Sequence, residues 1–160
     1  MSSQVLSTQE VSELTQTAWI RFLRAHAALT RELGARLEAE HGLTMSDFDV
    51  LIQLYHAPDH AMRRIDIARQ VLLTASGITR LLDGLERCGL VAKRSCESDA
   101  RVSYAVLTDE GLRKVEEARN SHNADIDELF GAALAPNERE QLADLLSRLP
   151  LAPTSKECSE

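Results

Sequence analysis

Residues 74–111 read TASGITRLLDGLERCGLVAKRSCESDARVSYAVLTDEG, and the hydrophobic period changes inside them. Ile78, Leu81, Leu82 and Leu85 fall at i, i+3, i+4 and i+7, the spacing of one buried helix face. Thr74 suits the N-cap of that helix, Ser76, Thr79, Arg80 and Asp83 fall on its opposite face, and Gly89 closes it. Two short β-rich runs follow, LVAKRSC and VSYAVLT, joined by the polar segment Glu97–Arg101. This pattern predicts a hairpin with a charged tip. A chain that turns from a short amphipathic helix straight into an exposed hairpin must build the rest of its fold around that pair.

The remainder reads as helix. Val11, Leu14, Ala18, Phe22, Ala25, Leu29, Leu33 and Leu37 recur at steps of three and four, which predicts one long helix over residues 8–40, stopped by Gly42. Such a helix spans roughly 45 Å, too long to be covered by one small domain, so a second chain is expected against it. Ser46 with Asp49 three residues later suggests the start of a second helix, ended by Pro58. Residues 59–64 read as turn or short strand, and a third helix is expected from about Asp66 to Leu72 without a clear cap. Beyond the hairpin, Leu112, Val115, Ala118, His122, Ile126, Leu129 and Phe130 trace a helix to about residue 132. Pro136 opens a last one carrying Leu142, Leu145, Leu146 and Leu149. The architecture expected is mostly α: a helix-turn-helix with a β-hairpin wing over 45–108, between helical regions 8–40 and 109–149 that leave apolar faces for a second copy. The tail 150–160 is expected to be flexible.

The chain has 160 residues, 44% of them hydrophobic and 27% charged, which fits one globular domain. No apolar run reaches the roughly 18 residues of a membrane span, and the start MSSQVLSTQEV does not read as a signal peptide. Cys88, Cys96 and Cys158 form neither a disulfide framework nor a zinc spacing, which fits a reducing cytoplasm; His56, His60 and His122 read as surface or interface residues, and no cofactor or metal is expected. No phosphate-binding glycine loop, nucleophile elbow or HExxH is present, so no enzyme is expected. The net charge of −7 is unevenly spread. Residues 61–101 carry eight Arg and Lys against five Asp and Glu, a local +3 that leaves −10 elsewhere. Such asymmetry suits a local anion-facing surface on an acidic body.

These features resemble the MarR family of dimeric winged-helix transcription factors. The residues that carry the likeness are Asp99, Ala100 and Arg101, then Leu107, Thr108 and Gly111, together with TASGITRLLDGLERCGLV at 74–91. The resemblance implies a homodimer that binds a palindromic operator in double-stranded DNA and represses until a small aromatic or phenolic effector releases it. Thr74, Ser76, Thr79 and Arg80 would then face bases and phosphates in the major groove. Arg101 would enter the minor groove, aimed by a bidentate pair with Asp99. Lys93 and Arg94, with Arg63 and Arg64, would hold phosphates. Ala100 stands where the family often has a second basic residue, which thins the wing's charge. Gly111 is expected at a close backbone approach. Trp19, Arg24 and His26 are the candidate effector contacts, with Trp19 packed in a dimer core as the alternative. Two rival readings stay open: a redox regulator working through Cys88 or Cys96, thiols otherwise expected to be buried and inert, and a winged-helix protein-interaction module without DNA binding.

Overall fold

The computed structural model describes residues 12–71, 75–96, 99 and 101–149. The expected tail, Val11, Leu72, Thr74, Glu97, Ala100, Pro150 and Cys158 lie outside these, as does the side chain of Ser76. Six α-helices are described: α1 (Glu13–His41), α2 (Met45–His56), α3 (Arg64–Gln70), α4 (Ala75–Arg87), α5 (Asp109–Ile126) and α6 (Pro136–Ser147). Three strands, β1 (Ala61–Arg63), β2 (Val91–Ser95) and β3 (Ser103–Leu107), form one antiparallel sheet in the order β1-β3-β2. The hairpin is therefore β2–β3, and the segment after Pro58 supplies a third strand on its far side.

Ser12 caps α1 by accepting the Thr15 amide at 3.2 Å, and Gly42 ends it at φ +66°, a left-handed conformation that a glycine adopts without strain. The start of α2 corrects the expectation at Ser46. Its N-cap is Thr44, whose Oγ1 accepts the Asp47 amide at 3.1 Å while Asp47 Oδ2 accepts the Thr44 amide at 3.0 Å. That choice sets Leu43 immediately before the cap and Phe48 at the fourth helical position, both buried, in the arrangement of a hydrophobic staple. Two satisfied amides and two covered apolar side chains decide the register that the hydroxyls alone left open. Helix α3 starts at Arg64, two residues earlier than expected, and its cap residue Arg63 makes no side-chain capping hydrogen bond.

The core gathers Leu43, Val50, Leu51 and Leu54 with Ile67, Ile78, Leu82 and Leu85, then Leu90, Val91, Ala105, Leu107, Val115 and Ala118. It lies in the lobe formed by α2–α5 and the sheet. Of the long α1 stripe only Leu37 is buried in the single chain. Leu14, Trp19, Ile20, Phe22 and Leu23 on α1 are exposed, as are Leu145 and Leu149 at the end of the chain's described part. Two polar ties join α1 to α5 and its π-helical extension: Arg36 reaches Asp125 at 2.7 Å and Glu128 at 3.1 Å as well as Glu32 on its own helix, and His41 Nε2 lies 2.6 Å from Ser121 Oγ. Asp127–Gly131 continues α5 as a π-helical turn.

The tightest junction joins α4, β3 and α5. Gly89, at φ +73°, ends the α4 region. Thr108 Oγ1 donates to the Gly89 carbonyl at 2.6 Å and accepts the Gly111 amide at 3.0 Å, while the Thr108 amide donates to the Leu90 carbonyl at 3.1 Å. A Cβ placed on Gly111 would lie 1.9 Å from the Leu90 carbonyl oxygen. The expectation of a close approach at Gly111 holds, and its partner is backbone that cannot swing aside. Gly111→Ala should thus destabilise the protein by about 3 kcal/mol or more through overpacking. Helix propensity alone would give a gain of about 1 kcal/mol. Urea unfolding decides by the sign.

Candidate nucleic-acid interface

Helix α4 turns Ile78, Leu82 and Leu85 into the core and leaves Thr79, Arg80 and Asp83 exposed, as its period predicts. Asp83 does not pair with Arg80, three residues before it. Its Oδ1 lies 3.1 Å from Arg64 Nη2 on α3. Among the described residues Arg80 enters no ion pair. The same holds for Arg101, exposed in the turn between β2 and β3.

Asp99 acts on that turn differently from the expected bidentate pair. Its Oδ1 accepts the backbone amide of Arg101 at 2.9 Å, and its carbonyl accepts the Val102 amide at 3.0 Å. The aspartate shapes the backbone, as an Asx turn does, and makes no ion pair with the guanidinium. A spacing of two residues brings a carboxylate over the amide more readily than over the end of a long side chain.

The remaining cations divide by partner. Arg63 lies 3.6 Å from Asp66, and Arg69 3.7 Å from the same residue. Arg64, a phosphate contact by the family resemblance, is 19% exposed and pairs with Asp83, with Glu86 at 3.9 Å. Arg94 stands opposite Tyr104 on β3, its guanidinium 5.5 Å from the ring centroid, and Arg63 faces Tyr104 from β1. This makes a row Arg63–Tyr104–Arg94 across one face of the sheet, which strand alternation in the sequence could have revealed. Lys93 falls on the other face, opposite Ala105, so Lys93 and Arg94 cannot serve one surface together. Arg63, Arg64 and Arg101 meet along one recess of about 270 Å³ between α3 and the hairpin.

A second recess, about 330 Å³, opens between α1, α2 and α5. Met45, Phe48 and Ile52 give it apolar walls; Thr30, Asp49 and His122 give it polar ones. The His122 ring sits 4.8 Å from that of Phe48, and its buried Nδ1 has no hydrogen-bond partner. Burial lowers the His122 pKa below the ordinary histidine value, against a smaller opposing pull from Asp125. Sequence reasoning missed this recess, whose walls come from segments 30, 45–52 and 122. It had pointed to Trp19, Arg24 and His26, which line neither recess. Trp19 and His26 instead flank Phe22 on α1, at 6.2 and 6.4 Å between centroids, and Trp19 is 57% exposed.

Cys88 is exposed rather than buried, and Cys96 is half-buried. The described residues contain no group of three or more His, Cys, Asp or Glu placed to hold a metal, and no helix long and apolar enough to cross a membrane. The hydrogen bond at the tip gives a direct check. Asp99→Asn keeps an oxygen acceptor and should preserve slow exchange of the Arg101 amide, whereas Asp99→Ala should expose it; equal exchange in the two variants would contradict the turn described.

A profile described as the MarR family matches residues 41–102. The HTH-type transcriptional regulator MhqR of Bacillus subtilis (strain 168) is 28% identical over 141 residues, covering 88% of this chain and 94% of that protein. AbsC, a MarR family transcriptional regulator from Streptomyces coelicolor, is 31% identical with a TM-score of 0.80, over 87% of this chain and 93% of AbsC. Sco3205, a MarR family regulator from the same organism solved in complex with DNA, superposes with a TM-score of 0.82 at 22% identity, over 89% of each chain.

Proposed function

Since the chain belongs to the MarR family of transcriptional regulators, we propose that it is a homodimer that binds operator DNA, with α4 in the major groove and the β2–β3 turn in the neighbouring minor groove. The observation that carries this reading is the division of the arginines. Arg63, Arg64 and Arg69 are paired with acids, while Arg80 on α4 and Arg101 on the wing protrude without an ion pair among the described residues. Unpaired guanidinium groups on a recognition helix and a wing suit a guanine edge and a narrow, negative minor groove. Thr74, Ser76 and Thr79 would share the major-groove face with Arg80. Lys93 and Arg94 would meet phosphates on opposite faces of the hairpin, and Asp99 would act by holding the turn. The exposed apolar residues of α1 with Leu145 and Leu149 would be covered by the second copy, which sets two α4 helices about one helical turn apart. An acidic body around a locally basic lobe keeps non-specific binding weak.

Repression released by a small molecule is the regulation we favour, and the recess at Phe48 and His122 is its site. Its walls hold one acid, Asp49, and no Arg or Lys. A carboxylate would find no counter-charge there. An uncharged aromatic with a hydroxyl would stack beside Phe48 and bond the orphaned His122 Nδ1. This reading sets the aromatic effector apart from the candidate contacts Trp19, Arg24 and His26, which do not line the recess.

Binding to a palindromic site selected from genomic fragments, followed by fluorescence anisotropy across salt, tests the first reading. Arg80→Ala and Arg101→Ala should each weaken binding on the order of tenfold and flatten the salt dependence by about one released counterion. Unchanged binding in Arg101→Ala would remove the wing from the interface, and no wild-type binding at low salt would favour a protein-interaction module. For the recess, a simple phenol should raise Tm in a concentration-dependent way and weaken DNA binding, while benzoate should do neither. His122→Phe should abolish the phenol response; a stronger response to benzoate would contradict the site's chemistry. Release by peroxide that is lost in Cys88→Ser would favour the redox alternative.

A further inference from the structure

Arg64 occupies an unusual place: it is the first residue of α3, where the positive end of the helix dipole disfavours a cation. Its side chain leaves that end and crosses to α4. There Nη2 lies 3.1 Å from Asp83 Oδ1 and 3.9 Å from Glu86 Oε1. At 19% exposure it is far more enclosed than its neighbour Arg63 at 56% or Arg69 at 75%. Asp83 and Glu86 stand three residues apart on α4, a spacing at which like charges repel unless a cation sits between them. Glu86 Oε1 is buried and has no hydrogen-bond partner, so the Arg64 charge is its compensation.

We propose that Arg64 is a positioning residue, which fixes the pose of α4 against α3 and keeps Asp83 away from Arg80 while making no DNA contact of its own. The inference rests on the DNA-binding reading above. Two consequences follow from one guanidinium. It bridges the two helices of the helix-turn-helix between residues 19 apart in sequence, with one nitrogen, Nη2, within 4 Å of both carboxylates at the end of a side chain longer than lysine's. It also occupies the carboxylate that would otherwise attract Arg80 at the i, i+3 spacing.

The test exploits a reversal of sign. Asp83 is an exposed acid on the helix proposed to meet DNA, so simple repulsion predicts that Asp83→Ala binds DNA more tightly. A positioning role predicts the opposite. Full-length protein and the variants Arg64→Ala, Arg64→Lys, Asp83→Ala and Arg64→Ala/Asp83→Ala are titrated against the selected operator and against an unrelated duplex over a salt series. Both single alanine variants should lose on the order of tenfold in operator affinity, with the double variant no worse than either, since one interaction is being removed. Arg64→Lys, which preserves charge and tolerates the fold, should lose part of the operator affinity. In the double variant, where no Asp83 remains to claim Arg80, affinity for the unrelated duplex and the salt slope should stay at the wild-type value. A slope flattened by about one counterion in the double variant, full operator binding by Arg64→Lys, or equal or tighter operator binding by Asp83→Ala would overturn the proposal and make Arg64 a phosphate contact or a bystander. Wild-type protein that binds no duplex would overturn the DNA-binding reading first.

Discussion

The contact between Gly111 and the Leu90 carbonyl is the constraint on which the rest of the molecule depends. A side chain of any size at position 111 would meet backbone at 1.9 Å. The approach is held from the other side by Thr108, which bonds Gly89, Leu90 and Gly111 at once. Three elements with different tasks end or begin within this knot: α4 closes before it, β3 enters it and α5 leaves it. The knot thus ties α4, the hairpin and α5 together at one point. That junction is the physical link through which a ligand at the α1–α2–α5 recess would alter the proposed DNA face.

The electrostatics follow the same economy. An acidic protein cannot rely on overall charge to meet a polyanion. It can do so with a few guanidinium groups left unpaired while neighbouring ones are occupied. Arg63, Arg64 and Arg69 have carboxylates within 4 Å, and Arg94 lies over the Tyr104 ring. Surface pairs of this kind contribute about 0–1 kcal/mol to stability. They also separate the arginines that have a carboxylate within 4 Å from those, such as Arg80 and Arg101, that have none among the described residues. Asp99 belongs to the same pattern, since it spends its carboxylate on the Arg101 amide and shapes the turn without neutralising the side chain.

Much of the fold was legible in the sequence because the signals were local. The period of Ile78, Leu82 and Leu85, the glycine at 89 and the two β-rich runs each specify their own conformation. Gly111 was readable as a close approach, although not its partner. What escaped the sequence was decided by tertiary contact. Thr44 and Ser46 are both good caps, and Thr44 is the one that closes a capping box with Asp47 while Leu43 and Phe48 are both buried. Asp83 lies at pairing distance from Arg80 along its helix, yet a cation 19 residues earlier in the chain claims it. Trp19, Arg24 and His26 share one helix and are legible as residue types. The recess with an unsatisfied polar atom needed Phe48 and His122 to come from different helices. Residue type identified which side chains have the chemistry, and packing determined which of them are free to use it.

The central claim is that α4 and the wing form one rigid DNA-reading unit, presented twice by a dimer. Chemical footprinting on a selected operator addresses it directly, because guanine N7 reports the major groove and adenine N3 the minor groove. The account predicts two major-groove protections centred about one helical turn apart, each flanked on the outside by a minor-groove protection that disappears in Arg101→Ala while the major-groove pattern keeps its register. A single unpaired protection, or a minor-groove pattern indifferent to Arg101, would contradict it.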